Sequence, residues 1–286
     1  MTYGTDGAFR AALEARLGAR SRDAGADLNR LRRRVVFERM LARLEAAEPG
    51  FWILKGGMAL EVRWHDRARS TRDMDLAARH SLTTGVDARA ALAGPLAVDA
   101  DHDRFRFTVG DARDLQVDEA GRPGWRFPVE ATLAGRQFAA VRVDLVIRET
   151  EISGTERLRL PGALAFAGIG PCEIEVVDRS QHFAEKLHAL TRTYTSRPST
   201  RVRDLVDLVP LIDDGLQPDI RLYDTVVHVF EARTSHPVPE ELPDPPRYWP
   251  VRYRELADDL DVSAATLDDA MHLLRAFWRQ TLSRQE

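Results

Sequence analysis

The sequence is poor in cysteine and lysine and has no long apolar run. Its 286 residues include one cysteine, Cys172, which excludes an intramolecular disulfide and any structural metal site rich in cysteine. A single cysteine is typical of proteins in the reducing cytoplasm. No apolar run approaches the roughly 20 residues that cross a membrane, and residues 1–20 lack the apolar segment of a signal peptide. We therefore expect a cytoplasmic protein that does not contact a membrane.

Lysine is nearly absent, although basic residues are common. Of the 41 basic residues only Lys55 and Lys186 are lysine, and all the others are arginine. Arginine keeps its proton in a protein, whereas a desolvated lysine can release it, so the two lysines are candidates for chemistry. The formal net charge of −4 does not indicate a nucleic-acid-binding protein, but it conceals how the charges are distributed.

The arginines form two clusters, each of which is either a basic binding face or the ordinary solvated side of a helix. The first cluster comprises Arg30, Arg32, Arg33, Arg34, Arg39 and Arg43, and the second comprises Arg192, Arg197, Arg201 and Arg203. As a binding face, either cluster would give this acidic protein a local surface for phosphate groups.

Several common catalytic motifs are missing. The sequence has no P-loop, no Gly-x-Gly-x-x-Gly fingerprint and no Gly-x-Ser-x-Gly elbow. Its eight histidines have neither a paired spacing along a helix nor a cysteine partner for zinc. The sequence therefore gives no support to a P-loop NTPase, a Rossmann-type enzyme, a hydrolase or a zinc enzyme.

The hydrophobic pattern changes from helical to strand-like and back along the chain. Helices are predicted at 5–18, 26–47, 181–194, 202–213, 220–232 and 264–282. Short strands are predicted at 104–109, 125–132 and 137–147, with turns at 121–124 and 134–135. These short connections predict an antiparallel meander between two helical regions.

This pattern predicts an α+β fold, with a mixed or antiparallel sheet, flanking helices and a C-terminal helical bundle. We expect a first domain at residues 1–178 and a helical domain at residues 179–286. Six prolines between residues 237 and 250 predict an irregular connection. Ser263 is the predicted N-cap of the last helix.

The most informative segment combines a diglycine with two aspartates. Residues 51–54 are predicted to form a strand, Gly56-Gly57 a turn and residues 58–64 a helix, and Asp73 and Asp75 lie on the following strand. Alternation along that strand sends both carboxylates to one face, where a hard cation such as Mg²⁺ would relieve their repulsion. The diglycine allows close approach to a phosphate at a helix N-terminus. A metal and a triphosphate would therefore meet in one cleft.

A second group of polar residues lies farther along the chain. Lys186 is predicted on a helix with apolar neighbours, where it would contact a triphosphate as a compact cation or, if desolvated, release its proton. Asp204 and Asp207 are three residues apart on the next helix and share one of its faces. Asp144 is the one carboxylate among apolar residues of strand 137–147, and it marks either a site or the exposed side of an edge strand.

The order of these motifs resembles the nucleotidyltransferase superfamily. Gly-Gly-x-Ala-Leu followed by Arg-x-Thr-x-Asp-x-Asp is similar to the AbiEii-type toxin family, whose other hallmark occurs here as a Lys186-x-x-Ala189 helix followed by an Asp204-x-x-Asp207 helix. The resemblance spans roughly residues 51–208. Members of this family are toxins of type IV toxin–antitoxin and abortive-infection modules, and characterised ones transfer nucleotides, in several cases to the 3′ end of tRNA.

The resemblance implies a nucleotidyltransferase sheet, a nucleoside triphosphate substrate, a Mg²⁺ or Mn²⁺ cofactor and a tRNA acceptor whose modification blocks translation. It also implies a neighbouring gene for a winged-helix antitoxin. The implied catalytic residues are Asp73, Asp75, Lys186 and Asp204. The implied nucleotide-binding residues are Gly56, Gly57, Thr71 and Lys186, and the implied metal ligands are Asp73, Asp75 and Asp144.

One departure from the superfamily pattern lies directly after the diglycine. Met58 stands where many nucleotidyltransferases have serine or threonine, so Thr71 or backbone N–H groups would have to replace that phosphate contact.

Two other functions stay open from the sequence. One is a small-molecule enzyme resembling aminoglycoside nucleotidyltransferases, for which an acidic rather than basic cleft is expected. The other is a degenerate regulatory binding protein, against which the intact aspartates argue.

Overall fold

The structure is a computed structural model that describes residues 3–80, 82–115, 123–147, 150–193, 199–258, 260 and 262–284. Its helices in this part of the chain are α1 (Asp6–Ala24), α2 (Leu28–Ala47), α3 (Gly56–Trp64), α4 (Gly85–Ala97), α5 (Arg179–Thr191), α6 (Val202–Asp213), α7 (Ile220–Arg233), α8 (Trp249–Ala257) and α9 (Leu267–Leu282). Its strands are β1 (Trp52–Lys55), β2 (Asp73–Ala78), β3 (Phe105–Val109), β4 (Arg113–Asp114), β5 (Gly124–Leu133), β6 (Arg136–Ile147), β7 (Thr155–Arg159) and β8 (Glu173–Val177). None of these helices is long and apolar enough to cross a membrane.

All eight strands form one mixed sheet in the order β3-β5-β6-β2-β1-β8-β7, with the short β4 paired to β5. The β2–β6 and β1–β8 pairs are parallel, and the other pairs are antiparallel. The predicted meander is the antiparallel β3-β5-β6 part of this sheet. The α+β prediction is therefore confirmed, and β2 lies near the middle of the sheet, between β1 and β6.

Two large apolar cores stabilise the described part of the fold, beside a small cluster of Ile53, Ala77 and Val177. The first joins α1, α2 and α4 to the sheet, and it includes Phe37, Met40 and Phe127, all fully buried. The second lies among α5 to α9, and it also includes Leu60 and Trp64 of α3. Because α3 contributes to both cores, it connects the sheet with the C-terminal helices. The domain boundary at residue 178 stays a prediction.

Local capping explains where the structure differs from the predicted boundaries. The last helix begins at Leu267, since Thr266 rather than Ser263 is its N-cap and accepts the N–H of Asp269 at 3.2 Å. Ser263 instead donates its hydroxyl to Asp213 at 2.6 Å. The proline-rich connection is shorter than predicted, because Pro250 lies in the first turn of α8, where a missing N–H costs nothing.

Other differences concern elements that the hydrophobic pattern did not predict. The helix α4 and the strands β7 and β8 are absent from the predicted set, and the diglycine belongs to the first turn of α3 instead of preceding it. The helix α5 ends at Thr191, three residues before its predicted end at Tyr194, which lies outside the described residues. Gly121 and Arg122 of the predicted turn, and Arg148 directly after the predicted strand 137–147, also lie outside them.

Candidate active site

Three carboxylates lie on one face of the sheet at β2 and β6. Met74 and Leu76 of β2 are fully buried in the first core, so alternation turns Asp73 and Asp75 to the opposite face. Asp144 on the parallel strand β6 is the register partner of Asp75. Register partners on neighbouring strands project to the same face, and the three predicted metal ligands are therefore neighbours.

Arginines partly neutralise this group. Arg142 donates its Nε to Asp73 at 2.6 Å, and Arg126 of β5 makes a bidentate pair with Asp144 at 2.7 and 2.6 Å. Asp75 makes no side-chain hydrogen bond with any described residue. Burial and the neighbouring charge of Asp144 raise the pKa of Asp75 to about 6. Of the three carboxylates, Asp75 is thus the one with no hydrogen-bonded cation among the described residues, and the charges of Lys186 and Lys55 offset its repulsion only in part.

The diglycine fits closely against these residues. Gly56 has a positive φ of 60°, and a Cβ atom there would overlap the carboxylate of Asp75. A Cβ atom at Gly57 would lie 3.2 Å from Oγ1 of Thr71 and 3.3 Å from Nη2 of Arg69. Glycine at both positions therefore lets the N-terminus of α3 approach Asp75 and Thr71. The first N–H groups of a helix have no intrahelical acceptor and carry its positive dipole end, which suits an anion.

Lys186 is the centre of a second charged group, on α5 and α6. Its Nζ donates to Oδ1 of Asp204 at 2.9 Å and to Oδ2 of Asp207 at 2.7 Å. Burial would lower the pKa of Lys186, but the two carboxylates outweigh it and raise the pKa above its ordinary value. Of the two roles open from the sequence, the structure therefore favours a permanent cation over a lysine that releases its proton.

Arg69 joins the second group to the diglycine. It makes a bidentate pair with Asp207 at 2.8 Å for both contacts, while its Nη2 lies beside Gly57. Burial would raise the pKa of Asp207, but Lys186 and Arg69 lower it. A continuous chain of contacts thus runs from Asp75 through the diglycine to the Lys186 group.

Arg69 and Asp207 were not among the predicted site residues. Arg69 is the arginine of the Arg-x-Thr-x-Asp-x-Asp motif, so the signal was present but carried no assigned role. Asp207 was set aside in favour of Asp204, although both contact Lys186. Lys55 lies opposite Asp75 on β1, but its Nζ pairs with Glu185 at 2.8 Å.

The arginines of α2 do not form an open basic face. Arg32 pairs with Glu14 at 2.9 Å, and Arg30 pairs with the buried Glu61 at 3.0 Å. Arg39 and Arg43 are themselves buried, and both pair with Asp103. In the second cluster Arg203 is exposed and Arg201 pairs with Asp204 at 3.3 Å, whereas Arg197 lies outside the described residues.

Comparison with known proteins identifies the family. The family model described as "Nucleotidyl transferase AbiEii toxin, Type IV TA system" matches residues 39–279. The chain belongs to the AbiEii nucleotidyltransferase toxin family. Its fold is similar to MenT4, a nucleotidyltransferase toxin of Mycobacterium tuberculosis, with a TM-score of 0.56 and 19% identity over 96% of this chain and 99% of that one. JHP933 of Helicobacter pylori matches with a TM-score of 0.41 and 12% identity over 86% and 90%. No curated protein matches the chain.

In this AbiEii member Met58 lacks the hydroxyl of the superfamily pattern, but a threonine hydroxyl lies near the same position. Met58 is buried, with 4% of its surface exposed, and it offers no hydroxyl. Thr71 lies beside Gly57 in the structure, and its Oγ1 donates to the backbone oxygen of Asp73 at 3.1 Å. A hydroxyl therefore stands next to the diglycine, although it comes from the loop before β2.

The carboxylate oxygens of Asp73, Asp75 and Asp144, the strand group, suit a hard divalent cation. Carboxylate oxygens are the ligands that Mg²⁺ and Mn²⁺ prefer, and Asp75 has an uncompensated charge beside Asp73. Within the described ranges, no group of three or more His, Cys, Asp or Glu side chains is arranged as a metal site. Asp144 would have to exchange Arg126 for the cation, so its role as a third ligand stays a prediction.

Proposed function

We propose that this AbiEii family member transfers nucleotides from a nucleoside triphosphate to the 3′ end of tRNA and thereby blocks translation. The observation that carries the proposal is the chain of contacts that links Asp75 through Gly56-Gly57 to Lys186. It places an uncompensated carboxylate, free helix N–H groups and a permanent cation along one path. A triphosphate with a divalent cation has the complementary charges in the same order.

In this proposal Asp73 and Asp75, with Asp144, hold Mg²⁺ or Mn²⁺. When bound, such a cation neutralises charge on the triphosphate and on the departing pyrophosphate. Gly56, Gly57 and Thr71 bind the phosphates through N–H and hydroxyl groups. Lys186 adds a fixed positive charge, and Asp204 orients Lys186.

The transfer itself requires positioning more than covalent chemistry from the protein. The 3′ oxygen of the acceptor attacks the α-phosphorus, and the bond from that phosphorus to the bridging oxygen of the β-phosphate breaks. Pyrophosphate leaves with the negative charge. The hydroxyl proton passes to a carboxylate of the site, for which Asp204 is the candidate because it does not hold the cation.

The tRNA acceptor is favoured by the charge around the carboxylates. The half-exposed Arg126 and Arg142 contact two of them, Arg72 directly precedes Asp73 in the chain, and Arg203 precedes Asp204. A cleft bordered by arginines suits a polyanion, whereas a cationic aminoglycoside needs an acidic surface. We also propose that the protein acts in the cytoplasm and is opposed by a winged-helix antitoxin encoded next to it.

The test is a labelling experiment with total tRNA. The protein is incubated with Mg²⁺ or Mn²⁺ and each α-³²P nucleoside triphosphate in turn, and the RNA is resolved on a denaturing gel. We expect label in a tRNA-sized band that migrates slightly slower, and its loss in Asp73→Ala. Asp114→Ala, which removes an exposed carboxylate on β4, is the matched control and keeps activity. Label in an aminoglycoside but in no RNA would contradict the tRNA proposal.

A further inference from the structure

A cavity lies along one face of α3, and none of the candidate active-site residues lines it. Its volume is about 360 Å³, within the roughly 300–1,000 Å³ of small-molecule sites. The wall from α3 consists of Met58, Glu61 and Val62, whose spacing places them on one face of the helix, and His65 directly after α3 also lines the cavity. The other walls come from α1, α2 and the segment after β7.

Most of the cavity wall is apolar. Leu17 and Leu31 from α1 and α2 are buried in the first core and reach the cavity with their side chains. Val35 and Phe166 extend the same surface. An apolar molecule of matching size would gain free energy by leaving water for this wall.

The acidic side chains of the cavity already have donors. Glu38 accepts the N–H groups of Gly162 and Ala163 at 3.1 and 2.8 Å. Glu61 accepts from Arg30 at 3.0 Å and from the N–H of Thr71 at 3.2 Å. Donors of the protein itself therefore already stabilise these two carboxylates.

The basic side chains of the cavity outnumber these acids. Arg16, Arg20 and Arg34 line it, and the guanidinium of Arg16 lies 4.1 Å from the ring centre of Phe166. Arg16 donates to the backbone oxygen of Ala12 at 3.1 Å but contacts no carboxylate among the described residues. Its remaining N–H groups are turned to solvent at the edge of an apolar wall, which is the arrangement that recognises a single anionic group.

We infer that this cavity binds a small molecule with an apolar body and one anionic head group, such as a carboxylate or a sulfonate. The body lies against Leu17, Leu31 and Val35, and the head group accepts hydrogen bonds from Arg16. This site is separate from nucleotide transfer, so its test reads binding alone and does not depend on the proposed function.

The first experiment titrates the full chain with the fluorescent anion 8-anilinonaphthalene-1-sulfonate. We expect saturable binding of one probe per protein. Arg16→Glu should weaken it about tenfold, since charge-assisted hydrogen bonds contribute on this scale. Arg22→Glu is the matched control, because it makes the same charge change on the same helix at an exposed residue that does not line the cavity. Equal affinity of wild type, Arg16→Glu and Arg22→Glu would overturn the assignment.

A second pair of variants fills the cavity without changing charge. Ala163→Leu places a larger side chain in it and keeps the N–H that Glu38 accepts, whereas Ala165→Leu changes an exposed residue of the same loop outside it. Only Ala163→Leu should lose the probe, and decanoate should displace the probe about tenfold better than decanol. If both leucine variants bind the probe equally, or if decanol competes as well as decanoate, the inference is wrong.

Discussion

The two halves of the candidate active site differ in how their charges are balanced. The strand half, on β2 and β6, sets three carboxylates against Arg126 and Arg142, so Asp75 is left without a partner cation. The helix half, on α5 and α6 with Arg69 from the loop before β2, sets three cations against Asp204 and Asp207. Each half thus carries an excess charge of opposite sign.

Burial acts on both halves, but neighbouring charges decide the outcome. Burial and Asp144 together raise the pKa of Asp75 to about 6. In the helix half, Lys186 and Arg69 overcome burial and lower the pKa of Asp207. The strand half therefore stores repulsion that an added cation would relieve, whereas both carboxylates of the helix half are already paired with cations. Substitutions should affect stability with opposite signs in the two halves.

The largest expected effect comes from removing the cation of the helix half. Lys186→Ala removes the cation that Asp204 and Asp207 share in a buried setting and leaves Arg69 and Arg201 as their partners, so we expect a loss of about 3 kcal/mol of unfolding free energy. Urea unfolding monitored by tryptophan fluorescence measures this loss. Nucleotide transfer should fall as well, because the fixed charge near the phosphates disappears.

Lys186→Arg tests whether charge alone is what matters. Arginine keeps a permanent cation and can reach two carboxylates, so this variant should recover part of the stability and part of the activity. If Lys186→Ala unfolds at the same urea concentration as wild type, Lys186 does not stabilise the buried carboxylates of the helix half. If it also keeps full activity, Lys186 does not belong to the active site.

The next largest effect is expected for Asp75→Asn in the strand half, which should lower activity but raise stability. Asp75→Asn should lower nucleotide transfer by about 10²-fold or more, because it removes a carboxylate from the proposed metal site. The same variant should be more stable than wild type at pH 8 without metal, by about 2 kcal/mol, since it removes a charge that burial and Asp144 disfavour. Unfolding in EDTA measures the gain.

The pH dependence of stability explains why Asp75→Asn is expected to raise the free energy of unfolding at pH 8. The folded chain holds the Asp75 proton up to a pH of about 6, whereas the unfolded chain releases it near pH 4, as an ordinary aspartate does. Wild-type stability therefore falls between about pH 4 and 6 on account of this group, and Asp75→Asn lacks that fall. Equal stability of the two proteins at pH 8 would contradict the uncompensated charge.

Local patterns predicted the strand half well. Alternation placed Asp73 and Asp75 on one face, because it depends on a few adjacent residues. The diglycine predicted close approach of a phosphate, and the structure shows close approach of Asp75 to Gly56. The partners of the arginines depend on residues far apart in the chain. Arg39 and Arg43 pair with Asp103, about sixty residues away, so a sequence pattern alone could not distinguish this buried network from a basic surface.

The helix half shows the same limit. The sequence predicted Lys186 and Asp204 through the family resemblance, but the contact of Arg69 with Asp207 spans 138 residues. The predicted N-cap was wrong for a related reason. Serine is a good N-cap residue, but the hydroxyl of Ser263 bonds to Asp213 of another helix. Tertiary partners, rather than local preference, decided these cases.

The smallest expected effect tests whether the helix half faces the RNA. Arg203 is exposed and directly precedes Asp204 on α6. Arg203→Glu should weaken tRNA binding about three- to tenfold at low salt and reduce the slope of log affinity against log salt by about one, because one phosphate contact is lost. Filter binding over a salt series measures both.

Arg32→Glu is the control that sharpens this comparison. It makes the same charge change on α2, where Arg32 pairs with Glu14 at 2.9 Å and Arg30 and Arg34 both pair with Glu61. Its effect on the salt slope should therefore be near zero, even if the lost ion pair lowers stability slightly. If Arg32→Glu flattens the slope as much as Arg203→Glu, the RNA contacts α2 as well. If neither changes it, the acceptor does not bind through its phosphates at this end of the site, and the excess positive charge of the helix half serves the triphosphate alone.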